Sequence, residues 1–316
     1  MGKTKYQIQF QKGLGLPEFL EQFGSEEQCE RQLASLKWPY GFICTHCKGK
    51  DVSIFRRNNR PYFQCSCCRH QSSLTSNTIF HRTHLPLRKW FLALYLISEA
   101  KTQMSSLELH RLICVNHKTA WLMLHKIMEV MVNAEEERKL SGRIELDDAY
   151  LGGRKKGGKS GRGAAGKQPF LAAIQTSNED VPKPHYAKLA PLSAFSIDQV
   201  QKWTEHYIEK GSHIVSDALG CFKGVEQTCS HEVHTASKMI EEEKEKHFKW
   251  VNTVLSNVKT GLTGTFHSFE CSKYSLRYLG AIMYRFNHRY ELDKIFVELL
   301  EDAMASPPAD IHVIQL

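Results

Sequence analysis

Four of the ten cysteines form two C-x-x-C pairs, and they are Cys44, Cys47, Cys65 and Cys68. The pairs are separated by 17 residues, within the range of about 15–20 that is typical of a four-thiolate zinc site. A closed tetrahedral site of this kind binds a structural zinc ion, because no coordination position is left for a reaction. The alternative is a set of reduced cysteines in a small core. Three nearby residues are further potential ligands at poorer spacing, namely His46, Cys67 and His70.

Two aspartates lie in apolar segments that are typical of strands. Asp147 lies in IELDDAYLGG, and Asp217 ends HIVSD. A buried ionised carboxylate is costly unless it is paired or bound to a metal. On neighbouring strands these two could hold two Mg²⁺ ions about 3.5–4 Å apart for displacement at a phosphodiester. Two alternatives stay open, since Asp148 could be the inward residue of its strand and Asp217 could cap a turn before Gly220.

A third oxygen ligand is expected from a helix beyond Asp217. Asn257 is the candidate, because it shares a helix side with Trp250, Val254 and Gly261 and its amide oxygen can bind Mg²⁺. The acidic run at 241–245 is an alternative source of the ligand, although such runs are usually solvated. The structural alternative for Asn257 is a buried amide that is hydrogen-bonded to the backbone.

Residues 105–130 predict a helix-turn-helix, with a first helix that ends near Ile113 and a second that covers 117–130. Lys118 and Thr119 begin the second helix, where they could contact a DNA groove or phosphates. The alternative is an ordinary helical hairpin. Seven core positions are expected in this region, namely Leu107, Leu109, Leu112, Ala120, Leu124, Ile127 and Met131.

The segment from Gly153 to Ser160 matches the phosphate-loop pattern G-x-x-x-x-G-K-S. A phosphate loop opens directly into a helix, whereas GRGAAGKQPF is too rich in glycine and too short before the next strand. We therefore expect a basic loop that grips a nucleic-acid backbone, with nucleotide binding as the alternative. Its predicted DNA contacts are Arg154, Lys155, Lys156 and Lys159.

Composition and charge favour a soluble intracellular protein. Hydrophobic residues make up 41% and charged residues 24% of the 316 residues, which excludes global disorder. No apolar run approaches the roughly 18–20 residues of a membrane span, and the first residues lack the apolar core of a signal peptide. The 42 Lys and Arg exceed the 34 Asp and Glu, a net charge of +8 that favours a polyanionic partner. The paired cysteines indicate a reducing compartment.

The predicted elements divide the chain into five parts. Residues 1–40 are an N-terminal helical segment, with 17–37 helical and a capping box at Ser25 and Gln28. Residues 41–75 form a β-rich zinc ribbon and 76–138 a helical DNA-binding region. Residues 139–292 contain four strands (in RIELDDAYLGG, PFLAAIQTS, YAKLAPLSAF and HIVSDAL) and three helices (196–211, 241–262 and 272–290), which is an α/β pattern, and a further helix is predicted at 293–304. Residues 293–316 are a C-terminal helix and tail.

Taken together, these segments resemble the ISXO-like insertion-sequence transposases, which join a zinc ribbon to a DDE-type, ribonuclease-H-like catalytic domain. The matching stretches occur in the family's order from about residue 38 to 290, and include WPYGFICTHC, IELDDAYLGG, HIVSDALGCF, WVNTVLSNVKTGLTGTFH and YLGAIMYRFNHR. The fold class implied is multidomain α+β, with a zinc ribbon and helix-turn-helix-like helices before an α/β ribonuclease-H-like domain.

The resemblance implies that Asp147, Asp217 and Asn257 are the catalytic ligands of two Mg²⁺ ions, with Mn²⁺ able to substitute, and that Lys259 contacts DNA. Where the family more often has Asp-Glu, this chain has Asp147-Asp148, which leaves the metal role of Asp148 open. Lys259 lies roughly 200° round the helix from Asn257 and so cannot share its face. Arg285 and Arg289, on one face of a later helix with Arg277, are further predicted DNA contacts, with a surface salt-bridge face as the alternative.

The function expected from these residues and from the resemblance is that of a DNA transposase acting in the cytoplasm on nucleoid DNA. It would bind the terminal inverted repeats of its element as a dimer or larger, cleave the strand with water and join the released 3′-hydroxyl to target DNA. The competing functions are a structure-specific metal-dependent nuclease and a catalytically dead DNA-binding regulator.

Overall fold

The computed structural model describes residues 11–152, 167–179, 181–235, 241–266, 269–309 and 314. The chain divides into two compact units. The first, here called the ribbon unit, comprises residues 1–100, 106–130 and 290–316. The second, the sheet unit, comprises residues 101–105 and 131–289.

The ribbon unit begins with two helices, α1 (Leu16–Phe23) and α2 (Glu26–Lys37), where the sequence predicted a single helical stretch. The predicted capping box is present: the Gln28 N–H donates to Ser25 Oγ (3.2 Å) and the Ser25 N–H donates to Gln28 Oε1 (2.8 Å). A capping box satisfies the free N–H groups at a helix start. It therefore starts α2 as a separate helix after the break from α1 at Gly24. An aromatic core of Phe19, Phe23, Tyr95 and Phe296 packs α1 against α3 (Leu87–Glu99) and α9 (Ile295–Ala305).

The ribbon itself is a three-stranded antiparallel sheet of β1 (Val52–Arg57), β2 (Arg60–Cys65) and β3 (Gln71–Ser73), in that order. Helices α4 (Ser106–Ile113) and α5 (His117–Glu136) have the predicted break between them, although α5 extends six residues beyond Val130. Five of the seven expected core residues here are buried. Leu107 and Leu112 are half exposed instead, because the short α4 buries the side that carries Leu109 and Ile113, four residues apart.

The sheet unit has five strands in the order β6-β5-β4-β7-β8. Their bounds are β4 (Arg143–Leu151), β5 (Gln168–Thr176), β6 (Pro184–Pro191), β7 (His213–Asp217) and β8 (Ser230–His234). β5 is antiparallel to both of its neighbours, while β7 and β8 run parallel to β4. This order and these directions are those of a ribonuclease-H-like fold, as the sequence predicted. β8 was not predicted, because SHEVH has one apolar residue and no alternation signal.

Helices cover both faces of this sheet. On one face, α6 (Ile197–Tyr207) and a 3₁₀ helix (Gly220–Gln227) bury the main apolar core, whose members include Ile144, Leu146, Leu171, Val200, Trp203, Ile214 and Phe222. On the other face lie α7 (Glu241–Thr265) and α8 (Cys271–Asn287). Among the described helices, none combines the length and apolar content needed to span a bilayer.

A buried polar network fixes α8 to β6 and to the end of α5. Asn287 Oδ1 accepts from the Ala187 N–H (2.7 Å), and Asn287 Nδ2 donates to Glu135 Oε2 (2.7 Å). The Lys188 ammonium donates to the Glu135 carbonyl and lies over the Tyr207 ring. Burial lowers the pKa of Lys188, and these partners compensate for the loss of water.

Candidate active site and zinc cluster

The four predicted zinc ligands converge. Cys44 Sγ lies 3.6 Å from Cys68 Sγ, and Cys47 Sγ lies 3.5 Å from Cys65 Sγ. One ligand atom from each of the four lies within 4.8 Å of every other. Thiolates about 2.3 Å from a tetrahedral zinc ion are about 3.8 Å apart, so the spacing fits this ion.

Each cysteine pair is held by its own backbone turn, and the two turns are of the same type. Lys48 N–H donates to the Cys44 carbonyl and Arg69 N–H to the Cys65 carbonyl, each at 3.0 Å, and both donors have a φ of 62°. Hydrogen bonds from backbone N–H groups, those of Cys47 and Cys68 foremost, lower the pKa of Cys44 and bring that of Cys65 to about 6. Such bonds favour the thiolate, which is the form that binds a metal.

The alternative ligands lie at the edge of this cluster. His70 Nε2 is 3.3 Å from Thr45 Oγ1, and the His46 and His70 rings stack at 6.0 Å. Cys67 is exposed and close enough that a Cβ on Gly49 would lie 3.1 Å from its sulfur. None of the three belongs to the set of mutually close ligand atoms.

The predicted aspartates also come together. β4 and β7 pair in parallel up to Leu146 and Ser216, so that Asp147 and Asp217 are the next residues along two neighbouring strands. Asp148 joins them, and one carboxylate oxygen from each of the three lies within 4.8 Å of the others. Asp147 and Asp148 are consecutive residues in the middle of β4, and strand alternation separates them at Cβ, yet one carboxylate oxygen of each still lies within 4.8 Å of the other. The structure therefore contains a cluster of three carboxylates that could hold a divalent cation.

Local hydrogen bonds orient two of these carboxylates. Asp147 Oδ1 accepts from the Asp148 N–H (2.8 Å), and Asp217 Oδ1 accepts from the Leu219 N–H (3.0 Å). Burial, followed by the negative charges of Asp148 and Asp217, raises the pKa of Asp147 to about 6. A carboxyl group whose pKa is raised by burial and by like charges is ionised again when a cation enters the site.

Glu145 is a site residue that the sequence reasoning missed. It lies two residues before Asp147, hence on the same strand face, and it is fully buried. Its Oε2 accepts from the backbone N–H groups of Trp250 (2.9 Å) and Val251 (3.0 Å), and its Oε1 accepts from Arg143 (3.1 Å). These bonds attach α7 to the strand that carries Asp147. A glutamate in an otherwise apolar strand, in phase with Asp147, was the available signal.

Helix α7 buries a stripe that includes Val251, Val254, Leu255, Val258 and Leu262. Asn257 and Lys259 are both exposed, and they flank this stripe on opposite sides. The Lys259 charge lowers the pKa of Asp147, so the flank of Lys259 is the one near the aspartates. Asn252, also exposed, is seven residues before Lys259 and therefore only about 20° from it around the helix. Asn252 thus shares the flank of Lys259, and Asn257 does not.

The remaining predicted DNA contacts have different surroundings. Lys118 is exposed and Thr119 is half-buried at the start of α5, where Asn116 Oδ1 accepts from the Lys118 N–H (2.9 Å). Arg285 donates to the Thr102 carbonyl (2.9 Å). Arg289 donates to the carbonyls of residues 184, 185 and 286 and lies over the Phe286 ring. The predictions for Arg154, Lys155, Lys156 and Lys159 lie outside the described residues.

A four-cysteine ribbon joined to a ribonuclease-H-like sheet with clustered carboxylates is the domain combination of the transposase class that the sequence resembles. Comparison with protein families identifies the family within that class. Residues 24–71 match a transposase zinc-ribbon domain, and residues 139–287 match the ISXO2-like transposase domain. Together the two matches cover well over half of the chain, and the chain belongs to this family of insertion-sequence transposases.

A curated relative from Halobacterium salinarum, an uncharacterized protein in transposable element ISH50, is 27% identical over 146 residues. The match covers 45% of this chain and 46% of the relative, so the chain spans about half the length of that relative. Among solved structures, the Mos1 mariner paired end complex with Mn is similar at a TM-score of 0.24 and 12% identity, over 67% of this chain and 78% of that one. A likeness at that level supports no transfer of residues or ligands.

Proposed function

We propose that this transposase cleaves and joins DNA strands with Mg²⁺ bound by Asp147 and Asp217. The single observation that carries the proposal is the cluster of three carboxylates formed by Asp147 and Asp148 in the middle of β4 and by Asp217 at the end of the adjacent β7. Three close carboxylates repel one another unless a cation neutralises them, and hard oxygen donors are the ligands that Mg²⁺ prefers. Asp148 is a further carboxylate within reach of the same ion.

When bound, Mg²⁺ would act as a Lewis acid that activates the attacking oxygen and stabilises the charge on the leaving oxygen of a phosphodiester. The residues of the chain set up this chemistry. Asp147 and Asp217 each use one carboxylate oxygen for a backbone N–H, which fixes the rotamer and leaves the second oxygen for a ligand. Glu145 holds α7 beside the pair, and Lys259 brings a positive charge that can meet a DNA phosphate.

The third metal ligand is proposed to come from the same flank of α7 as Lys259. Asn257 is the residue predicted from the sequence, and Asn252 is the amide that the helix geometry favours, because it shares the flank of Lys259. We therefore propose Asn252 as the third oxygen ligand. The two asparagines provide a matched pair of variants, since both are exposed on one helix and differ in the side that they occupy.

The ribbon is proposed to bind one structural zinc ion through Cys44, Cys47, Cys65 and Cys68. The proposed partners are the terminal inverted repeats of the element and target DNA in the cytoplasm, bound by a dimer or larger. Lys118 and Thr119 at the start of α5 are proposed phosphate or groove contacts. Arg285 and Arg289 already donate to backbone carbonyls, so their proposed contribution to DNA binding is a diffuse positive charge.

The experiment uses the full-length protein, labelled DNA from both ends of the element, target plasmid and Mg²⁺. Wild type is expected to yield cut ends and joined products, whereas a nuclease would yield cut ends alone. Asp217→Ala is expected to reduce cleavage by about three orders of magnitude or more, because it removes a metal ligand worth several kcal/mol in the transition state. Asp198→Ala, which removes an exposed carboxylate paired with Lys202, is the matched control and should cleave like wild type.

The asparagine pair is tested in the same assay. Asn252→Ala should reduce cleavage at limiting Mg²⁺ far more than Asn257→Ala. The reverse order would show that the ligand predicted from the sequence is correct and that the helix-face argument is wrong. Cleavage by Asp217→Ala at the wild-type rate would refute the metal role of Asp217, whereas DNA binding without any cleavage by wild type would favour a DNA-binding regulator.

A further inference from the structure

A second group of metal-ligating side chains lies on the sheet unit, outside the carboxylate cluster. It consists of Glu232 and His234 on β8 and His247 near the start of α7. One ligand atom from each lies within 4.8 Å of the others. His234 Nε2 is 2.5 Å and His247 Nδ1 is 3.7 Å from Glu232 Oε1. The two imidazole rings lie 4.1 Å apart and are tilted by 34°.

The position of this group in the sheet is defined by strand pairing. β8 pairs with β7 so that Glu232 is opposite Val215 and His234 is opposite Asp217. Glu232 and His234 therefore point to the sheet face that α7 covers, and His247 reaches them from that helix. The group joins an edge strand to the helix that carries Lys259.

We propose that Glu232, His234 and His247 bind one borderline divalent transition-metal ion, with Zn²⁺ as the probe. This proposal is independent of the transposase chemistry. Two imidazoles and one carboxylate form a donor set that suits Zn²⁺, whereas Mg²⁺ prefers oxygen ligands and belongs with the aspartates. Ligand atoms about 2.0–2.2 Å from a tetrahedral zinc ion are about 3.3 Å apart, so small side-chain rotations convert the observed spacing into a site with three protein ligands.

The surroundings of the group support metal binding. The second oxygen of Glu232, Oε2, lies 2.8 Å from His213 Nε2. A partner of this kind orients a ligating carboxylate, and His213 is held in turn by Ser230 Oγ at 3.0 Å. The buried Phe248 packs edge-on against His234 at 6.1 Å, which limits the water on that side. The side chains of His234 and His247 are 24% and 20% exposed, so an ion can still enter.

The test counts zinc on the intact protein after equilibration with excess Zn²⁺ and gel filtration. Wild type should hold two zinc ions per chain, one in the cysteine cluster and one in this site. His234→Gln and His247→Gln should each hold one. His213→Ala should retain the second ion with about 10- to 100-fold weaker affinity, because it removes the group that orients Glu232. His206→Gln is the matched control, since it removes an exposed histidine paired with Glu136, and should hold two.

Two further measurements locate the ion. Asp217→Asn should keep both zinc ions, and millimolar Mg²⁺ should displace neither. Zinc should slow amide hydrogen exchange in β8 and at the start of α7 in wild type, and this effect should be lost in His247→Gln while exchange in β4 and β5 stays at its wild-type rate. One zinc ion on wild type, two on either glutamine variant, or displacement by Mg²⁺ would each overturn the proposal.

Discussion

Replacement of Asp147 by asparagine is expected to stabilise the metal-free sheet unit at neutral pH. The pKa of Asp147 is raised from 3.8 to about 6 by burial and by its two carboxylate neighbours. The folded state therefore binds the proton more tightly than the unfolded state. Between about pH 4 and pH 6 the free energy of unfolding should fall as pH rises, and above pH 6 the full cost of the buried charge is present.

The magnitude follows from the size of this shift. About two pKa units correspond to about 3 kcal/mol of lost stability at pH 8. Asp147→Asn removes the charge and keeps an oxygen that can accept from the Asp148 N–H. Its new amide N–H₂ group costs about 1 kcal/mol if it lacks a partner. The net gain at pH 8 should be about 1–3 kcal/mol, and at pH 4 the gain should vanish because wild-type Asp147 is then protonated.

The measurement is native-state amide hydrogen exchange of β4 and β5, because a chain with two units does not unfold in one step. The buffer contains neither Mg²⁺ nor a chelator, since a chelator would also remove zinc from the ribbon. Addition of Mg²⁺ should stabilise wild type but not the variant, and Asp198→Asn should change neither value. A variant that is no more stable than wild type at pH 8 would refute the proposed cost of the buried charge.

Three other predictions concern the supports of the two sites. Cys65→Ser should abolish zinc retention by the ribbon and unfold β1–β3, as seen by metal analysis and circular dichroism, whereas Cys114→Ser, which changes an exposed cysteine outside the cluster, should do neither. Asn287→Ala should lower the free energy of unfolding of the sheet unit by about 2–3 kcal/mol, because it removes the acceptor of the buried Ala187 N–H, the donor to the Ala187 carbonyl and one of the donors to buried Glu135. An unchanged exchange rate in β6 would contradict this. Glu145→Gln should raise exchange at the start of α7 and weaken Mg²⁺-dependent cleavage at least tenfold by misplacing the helix, and full activity would show that α7 is positioned by its apolar stripe alone.

The sequence predicted the candidate sites best where a few neighbouring residues form them or where a charge interrupts an apolar run. Each cysteine pair lies in one turn of five residues, 44–48 and 65–69, so the spacing alone identified the cluster. Asp147 and Asp217 were found because a charge within an apolar run or at its end is conspicuous. The ribonuclease-H-like fold class of the sheet unit followed from the family resemblance rather than from any single periodic pattern.

The errors lie where tertiary packing decides. β8 is a polar edge strand that lies beside β7 because of its backbone hydrogen bonds and not because of its side chains. Its sequence therefore has no alternation of apolar and polar residues that would predict a strand. Leu107 and Leu112 read as core positions, but α4 is only eight residues long and buries one side. The flank of α7 that faces the aspartates depends on the hydrogen bonds of Glu145, which join residues more than 100 positions apart. The third ligand, Asn257 from the sequence and Asn252 from the helix geometry, therefore stays a prediction.

The parallel pairing of β4 with β7 also has a consequence for biosynthesis. β5 can join β4 as soon as it leaves the ribosome, whereas β7 must wait for the whole crossover that contains β6 and α6. Long-range contacts of this kind form slowly. A nascent chain that ends before residue 217 thus lacks one of the three clustered carboxylates, so the proposed cation site is incomplete until the central sheet has formed.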